Sequence, residues 1–292
     1  MNPPTPSPFP VSPRCRVIVD NDFSGDPDGL VGLAHHLLSP ANRVVLITSS
    51  FLHPMFGSPV ARAADGARMA RELLDVVGPG TAVPVAAGCD HARGAGDTAS
   101  AAADAIVAEA RREDDLPLLL VCAGPLTNVA QALEQAPDTA GRLTLVWVGG
   151  SLDPAAGEYN RDTDPESARF VLEHPELPVW QFPLETYRQC GCSVAELEHD
   201  LAGSGAVGRW LWERFVDLAA SMPDFLHVPS VWPLGDSVPL LVTGLDDGAT
   251  GFEAAEATPG RGPRRVHTRV DARLVIGDML ARLRLHEARR AR

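Results

Sequence analysis

The sequence predicts an α/β protein with a doubly wound, mainly parallel sheet flanked by helices, and with additional C-terminal helices. Short apolar runs such as 17–19 and 116–121 alternate with segments whose apolar residues have helical spacing. The connections between them have the length that a parallel βαβ unit needs. The run at 116–121 is apolar throughout, which is typical of a central strand that is covered on both faces.

The predicted elements follow one another in a regular order. A strand at 17–19 precedes a helix at 30–38, and a second strand at 43–48 precedes helical spacing over 60–77 that ends at Gly78, a typical C-cap. The later elements are strands at 83–87, 116–121, 143–148, 179–182 and 268–270, and helices at 100–112, 129–133, 165–172, within 193–226, after Asp236 and at 271–283. Residues 151–164 are predicted to form a long polar loop.

Length and composition indicate one domain. Hydrophobic residues make up 45% of the 292 residues, which is enough for a large core. Residues 1–13 are rich in proline and lack the apolar segment of a signal peptide, so we expect a flexible tail there. We find no internal repeat and no linker within 14–285, which favours a single domain followed by a short tail at 286–292.

Charge and cysteine content restrict the classes of partner. The net charge is −13 and every basic residue is an arginine, so the basic patches that bind nucleic acid are not expected. No apolar run reaches the roughly 18 residues of a membrane span. Five scattered cysteines favour a reducing compartment, and Cys190 with Cys192 lacks the second pair of a zinc site. We therefore expect a cytoplasmic protein without nucleic-acid or membrane partners.

Four carboxylates follow the first predicted strand within nine residues: Asp20, Asp22, Asp26 and Asp28. In an open α/β sheet, ligands bind at the carboxyl ends of the strands. Like charges at this density repel one another unless a cation or protons neutralise them, and oxygen ligands suit Ca²⁺ or Mg²⁺ better than zinc. The alternative is a solvated loop in which aspartates serve as caps and turn residues.

Polar residues also follow later strand ends, at 48–53, 123–128, 158–164 and 235–236. Asp164 before a proline is predicted to cap a helix. Glu158 and Asn160 are not needed for that cap, which favours a role in ligand binding. The carbonyl of Ala123, at a strand tip, is a candidate cation ligand. Asp236 fits either a ligand or a helix cap.

In this order and spacing, the segments resemble the inosine–uridine-preferring nucleoside hydrolase family over about residues 15–283. The resemblance rests on the strand with Asp20, Asn21, Asp22 and Asp28, on 123–128, on Gly149 and Gly150, on 158–160 with 164–166, on 183–186, and on Asp236. It implies a nucleoside-hydrolase-like fold and Ca²⁺-dependent hydrolysis of the N-glycosidic bond of a ribonucleoside, giving ribose and free base. It also implies a small-molecule nucleoside substrate and a homodimer or homotetramer.

The resemblance further implies a role for each site residue. Asp22 would be a calcium ligand and the general base that activates a metal-bound water. Asp20 would orient the loop from behind the ligands. The other roles would fall to Asp236 and the Ala123 carbonyl as further ligands, and to Glu158 and Asn160 as groups that bind the ribose hydroxyls.

One departure from the family concerns its cluster of two adjacent aspartates, of which one binds ribose and the other calcium. Here the segment at 26–29 is longer by two residues. Alignment on the helix start places Asp28 at the ribose position and Gly29 at the calcium position, whereas alignment on Asp22 places Asp26 at ribose and Asp28 at the metal. Because Gly29 has no ligating side chain, we expect Asp26 and Asp28 to share both roles.

A second departure is Gly235, where purine-active relatives often carry a histidine that protonates the leaving base. His53, in the loop after the second strand, is a candidate for contacting the substrate. Base preference would depend on the loops at 49–59 and 220–235. Three residues there could stack on a base or could belong to the core or to a subunit contact: Phe225, His227 and Trp232.

Alternative functions remain open. The first strand and its aspartates also resemble haloacid-dehalogenase-like phosphatases, but the residues after Asp22 differ and the chain contains no lysine. Gly29 and Gly235 instead favour, as an alternative, a catalytically impaired relative that binds a riboside or calcium without turnover. Hydrolysis of a riboside other than a nucleoside is a third possibility.

Overall fold

An eight-stranded sheet forms the centre of the computed structural model, which describes residues 9–53, 62–96, 99–221, 230–256 and 261–291. The strands, in chain order, are β1 (Cys15–Asn21), β2 (Asn42–Ser49), β3 (Val85–Ala87), β4 (Leu118–Cys122), β5 (Thr144–Val148), β6 (Val179–Phe182), β7 (Gly191–Ser193), β8 (Val231–Pro233), β9 (Thr250–Ala255) and β10 (Arg264–Val270). Strands β7 and β8 form a separate antiparallel pair.

The strand order of the main sheet is β3-β2-β1-β4-β5-β6-β10-β9. Every neighbouring pair is parallel except β9 and β10, which are antiparallel. The chain therefore winds outwards in both directions from β1 and β4, and this reversal is the point at which open α/β sheets bind ligands. The predicted doubly wound, mainly parallel sheet is confirmed.

Helices cover both faces of the sheet. They are α1 (Asp28–Leu38), α2 (Ala63–Val77), α3 (Ala101–Arg111), α4 (Thr127–Gln135), α5 (Tyr159–Thr163), α6 (Pro165–Leu172), α7 (Leu184–Tyr187), α8 (Val194–Glu196), α9 (Gly205–Ser221), α10 (Leu240–Thr243) and α11 (Ala272–Arg290). The predicted caps are confirmed: Gly78 ends α2 with φ of 102°, and Asp164 caps α6 by accepting a hydrogen bond from the amide of Ser167.

The predicted loop at 151–164 is wrong in its second half, because α5 lies there. The carboxylate of Glu158, which the sequence assigns to ligand binding, caps this helix. Strand β9 was also not predicted. Four of its six residues are exposed, and so it lacks the apolar run by which the buried strands were recognised.

Alternate residues of the central strands enter two apolar layers, one on each side of the sheet. Val17 and Val19 of β1 pack into one layer, while Ile18 packs into the other with Leu120 and Trp147. These side chains are at most 3% exposed, so truncating Leu120 to alanine would cost about 2–5 kcal/mol of stability. Burial on both faces explains why the strands are apolar at every position.

The five cysteines are all unpaired. Cys15, Cys122, Cys190 and Cys192 are buried, whereas Cys89 is partly exposed. Burial raises the pKa of the Cys15 thiol to about 11 and that of Cys192 to about 12. Among the helices of the described segments, none has the length and apolar character to cross a membrane.

Candidate active site

The loops that follow β1, β2, β4 and β5 meet the turn at 235–237 beside the β1–β4 switch point. Hydrogen bonds join them: Asn21 Nδ2 lies 2.9 Å from Asp236 Oδ2, and Asn160 Nδ2 lies 2.8 Å from the carbonyl oxygen of Val148 and 3.3 Å from that of Ala123. The expected gathering of these strand-end segments is therefore observed.

Asp20 lies beneath this group of loops and is fully buried. Its Oδ2 atom accepts hydrogen bonds from Thr48 Oγ1 at 2.6 Å and from Asn128 Nδ2 at 2.7 Å. The thiol of Cys122 lies 3.4 Å from Oδ1. Burial raises the pKa of Asp20 to about 6, although these three hydrogen bonds oppose the shift. The carboxylate thus ties β1 to β2, β4 and α4.

Asp22 and Asp28 are instead each repelled by the negative charges of Asp236 and Asp26. Burial raises the pKa of Asp22 and of Asp28 well above the usual range, and the negative charge of Asp236 raises both further. The pKa of Asp236 is raised to about 7, again first by burial. Asp28 Oδ2 accepts a hydrogen bond from the backbone amide of Asp236 at 3.2 Å, while its Oδ1 is buried and has no partner among the described residues. The negative charges of these carboxylates are therefore only partly compensated by the surrounding hydrogen-bond donors.

The donor set fits a hard divalent cation. Asp22, Asp28 and Asp236 offer carboxylate oxygens, and the carbonyl of Ala123 lies at the tip of β4. The unpartnered Oδ1 of Asp28 and the mutual repulsion are both features that a cation would relieve. In the described segments, however, no group of three or more His, Cys, Asp or Glu side chains is arranged so that it could hold a metal ion, so the fit rests on the chemistry of the donors and not on their present geometry.

Asp26 lies at the exposed side of the group. Its two oxygens accept hydrogen bonds from Trp232 Nε1 at 2.9 and 3.0 Å, and one of them also accepts from the amide of Asp28 at 3.0 Å. The charge of Asp26 nevertheless raises the pKa of Asp22, Asp28 and Asp236, so it belongs to the same interacting group, and the division of roles between Asp26 and Asp28 stays a prediction.

A neutral amide stands beside Gly29, and sequence reasoning missed it. A Cβ atom at position 29 would lie only 2.7 Å from Asn21 Nδ2. Asn21 is held in place because its Oδ1 accepts from the amide of Asp22 at 2.8 Å while its Nδ2 donates to Asp236. No local pattern in the sequence indicates that these two positions lie so close together.

Glu158 accepts hydrogen bonds from four groups of the protein. It accepts from the amides of Gly150 at 2.6 Å, Arg161 at 2.9 Å and Asn160 at 3.2 Å, and from the hydroxyl of Tyr187 at 3.2 Å. The argument that Glu158 has no local structural role is therefore wrong, because it caps α5 and holds the end of β5. Burial raises its pKa. Its role in substrate binding stays a prediction.

Of the residues predicted to contact the substrate or its base, His53 and Trp232 lie in the described part of the chain. The backbone amide of His53 donates to the hydroxyl of Tyr159 at 3.0 Å. The ring of Trp232 packs edge-on against Phe215, with centroids 5.5 Å apart. Phe225 and His227, together with most of the loops at 49–59 and 220–235, lie outside the described residues.

Comparisons with known proteins agree with this architecture. The family model described as "Inosine-uridine preferring nucleoside hydrolase" matches residues 17–289. Two curated relatives are pyrimidine-specific ribonucleoside hydrolases RihA: that of Salmonella arizonae is 32% identical over 99 residues, and that of an Enterobacter species is 36% identical over 93. The matches cover 32% and 30% of this chain and 31% and 29% of those enzymes, so they span less than a third of the relatives' length.

Solved structures share the fold over almost the whole chain. A plant nucleoside hydrolase, PpNRh1, superposes with a TM-score of 0.71 at 20% identity, covering 93% of this chain and 99% of that one. An inosine-guanosine nucleoside hydrolase superposes with a TM-score of 0.70 at 19% identity, covering 94% and 99%. At this level of identity, the likeness establishes the architecture.

Proposed function

The chain belongs to the inosine–uridine preferring nucleoside hydrolase family, and on that basis we propose that it hydrolyses the N-glycosidic bond of a ribonucleoside to ribose and free base. The observation that supports this most directly is the group formed by Asp22, Asp28 and Asp236 at the switch point of the sheet. The charge of Asp236 repels Asp22 and Asp28, and a buried oxygen of Asp28 has no partner among the described residues, as expected of residues placed for a ligand.

Water is the nucleophile in the proposed reaction, and Asp22 is the base. As the water oxygen bonds to C1′ of the sugar, the bond from C1′ to the base nitrogen breaks and its electron pair moves to the base. Asp22 takes the proton that the water loses, and the departing base takes one proton from solvent, so that ribose and neutral base are released. The sugar passes through a state with oxocarbenium character, which negative charge nearby stabilises.

We propose Ca²⁺ as the cofactor, since nucleoside hydrolases are typically metal-dependent and all the available donors are oxygens. Asp22, Asp28, Asp236 and the carbonyl of Ala123 would hold it, with Asp26 close by on the exposed side. When bound, such a cation would lower the pKa of an adjacent water and bind the ribose hydroxyls.

The sugar would be held by groups that surround the carboxylates. Glu158 and Asn160 are already fixed by backbone contacts, so either could hydrogen-bond a ribose hydroxyl at little entropic cost. Asp28 is proposed to bind the sugar as well as the cation, and His53 to contact the substrate. We further propose, from the family resemblance, a cytoplasmic homodimer or homotetramer.

A binding protein without turnover is the second candidate. Asn21 supplies a neutral amide beside Gly29, where the family pattern has an aspartate, and Gly235 offers no proton donor to a leaving base. These two features favour a chain that holds calcium or a riboside unchanged.

Release of free ribose from a panel of purine and pyrimidine nucleosides, with Ca²⁺ or with chelator, tests the proposal. We expect chelator-sensitive release by the wild type, loss of release in Asp22→Asn, and unchanged release in the surface control Asp217→Asn. Calcium binding without release of ribose from any nucleoside would instead support the binding protein.

A further inference from the structure

The chain contains only two tyrosines, and the hydroxyl groups of both contact carboxylates of the site. Tyr159 lies in the first turn of α5, and Tyr187 is the last residue of α7. Neither residue was singled out by the sequence. Two tyrosines placed in this way, in a chain of 292 residues, call for a physical explanation.

Tyr159 connects the loop after β2 to the proposed base. Its hydroxyl accepts a hydrogen bond from the backbone amide of His53 at 3.0 Å and forms a hydrogen bond with the carboxylate of Asp22. Because the amide donates to the phenol oxygen, the phenol proton is left for Asp22. The hydroxyl therefore acts as a donor that restricts the orientation of the carboxylate.

Tyr187 contacts a different carboxylate, that of Glu158. Its hydroxyl lies 3.2 Å from Glu158 Oε1. Its ring packs against Gly235, where an added Cβ atom would lie 2.9 Å from Tyr187 Cδ2. The ring thus fills the space that a side chain at position 235 would need, and the absence of that side chain allows the hydroxyl to reach Glu158.

We propose that the two tyrosines are positioning residues with separate tasks: Tyr159 orients Asp22 for attack by water, and Tyr187 orients Glu158 for ribose binding. The proposal rests on the proposed hydrolase function. It predicts that the two hydroxyls affect different kinetic parameters. Asp22 acts in the chemical step and so affects kcat, whereas Glu158 contacts the sugar in both ground and transition states and so affects KM.

The isosteric variants Tyr159→Phe and Tyr187→Phe test this division, because each removes one hydroxyl and keeps the ring. We expect Tyr159→Phe to lower kcat by about 10-fold or more with KM changed less than about 3-fold. We expect Tyr187→Phe to raise KM by about 10-fold with kcat changed less than about 3-fold. Each variant is the control for the other, and both should melt close to the wild type.

Two measurements without turnover separate this proposal from the proposed function. Isothermal titration with CaCl₂ should show weaker binding in Tyr159→Phe and unchanged binding in Tyr187→Phe. Titration of the calcium-loaded protein with ribose should show the reverse. If the wild type releases no ribose from any nucleoside, hydrolysis fails, yet the titrations still decide the positioning roles.

The proposal is overturned if both variants alter kcat and KM in the same proportion, if the two titrations do not distinguish them, or if the wild type binds neither Ca²⁺ nor ribose. A uniform fall in melting temperature would assign the hydroxyls a purely structural role and would overturn it as well.

Discussion

Asp20 and Asp22 are two residues apart at the end of the same strand, yet they have opposite surroundings. Asp20 is enclosed and meets two side-chain donors and a thiol, while Asp22 meets the like charges of Asp236 and Asp26. Burial raises the pKa of both carboxylates, but hydrogen bonds oppose the shift at Asp20 whereas like charges add to it at Asp22. The hydrogen-bonded carboxylate connects the strands, and the one that faces like charges is the proposed base.

The largest effect is expected when the charge of Asp22 is removed. Asp22→Asn should lower ribose release by at least about 10³-fold, since the base and a cation ligand are lost together. The metal-free variant should melt no lower than the wild type, because removing one of several mutually repelling charges relieves the folded state. A clear loss of thermal stability in Asp22→Asn would show that Asp22, like Asp20, stabilises the fold, and would contradict the comparison.

The converse is expected for Asp20. Asp20→Ala leaves the hydroxyl of Thr48 and the amide of Asn128 without their acceptor inside the protein. We expect the free energy of unfolding to fall by about 2–4 kcal/mol, measured by urea denaturation. Thr48→Val, which removes only one of the two donors, should cost less and serves as the matched control.

The dependence of stability on pH should distinguish the carboxylates of the proposed site from Asp20. The pKa of Asp236 is raised from 3.8 to about 7, so between these values the folded state holds a proton that the unfolded chain has lost. The free energy of unfolding of the metal-free protein should therefore fall as pH rises through that window. Asp20, whose pKa is about 6, should add to the lower part of it.

Added Ca²⁺ should oppose this trend, because the cation binds the ionised carboxylates and so stabilises the protein more at pH 8 than at pH 5.5. Melting temperatures with Ca²⁺ and with chelator, measured at both pH values, check the sign. Asp236→Asn should flatten the metal-free profile. A calcium effect that is larger at low pH would contradict this assignment.

A smaller effect is expected at Gly29, where the family pattern has an aspartate. Gly29→Asp should destabilise the protein by about 1–3 kcal/mol, since its Cβ would overlap the amide of Asn21. The double variant Asn21→Ala with Gly29→Asp should recover most of that loss and bind Ca²⁺ more tightly than Asn21→Ala alone. Additive destabilisation in the double variant would show that the two positions do not compete for space.

The fold was predictable because local and global signals agree. Strands buried on both faces are apolar at every position, and the capping residues Gly78 and Asp164 lie where the helical spacing of apolar residues ends or begins. The exposed edge strand β9 and the short helix α5 lack these signals. Both were therefore missed, and the helix was hidden by the fact that its cap is a glutamate.

The site was predictable as a set of segments, because polar residues follow several strand ends. Its internal contacts were not, since they depend on distances across the sheet. Nothing local in the sequence indicates that Tyr187 packs against Gly235 or that Asn21 occupies the space beside Gly29. Those pairings are separated by as many as 48 residues, and only the three-dimensional arrangement shows them.

The positions of the cysteines allow thiol labelling to report on unfolding of the protein. Cys15 and Cys122 lie on β1 and β4 in the centre of the sheet, whereas Cys89 is partly exposed. A thiol reagent should thus modify Cys89 quickly and the two central cysteines only when the sheet separates. The slow phase of labelling would then measure the rate and free energy of global unfolding without any engineered probe.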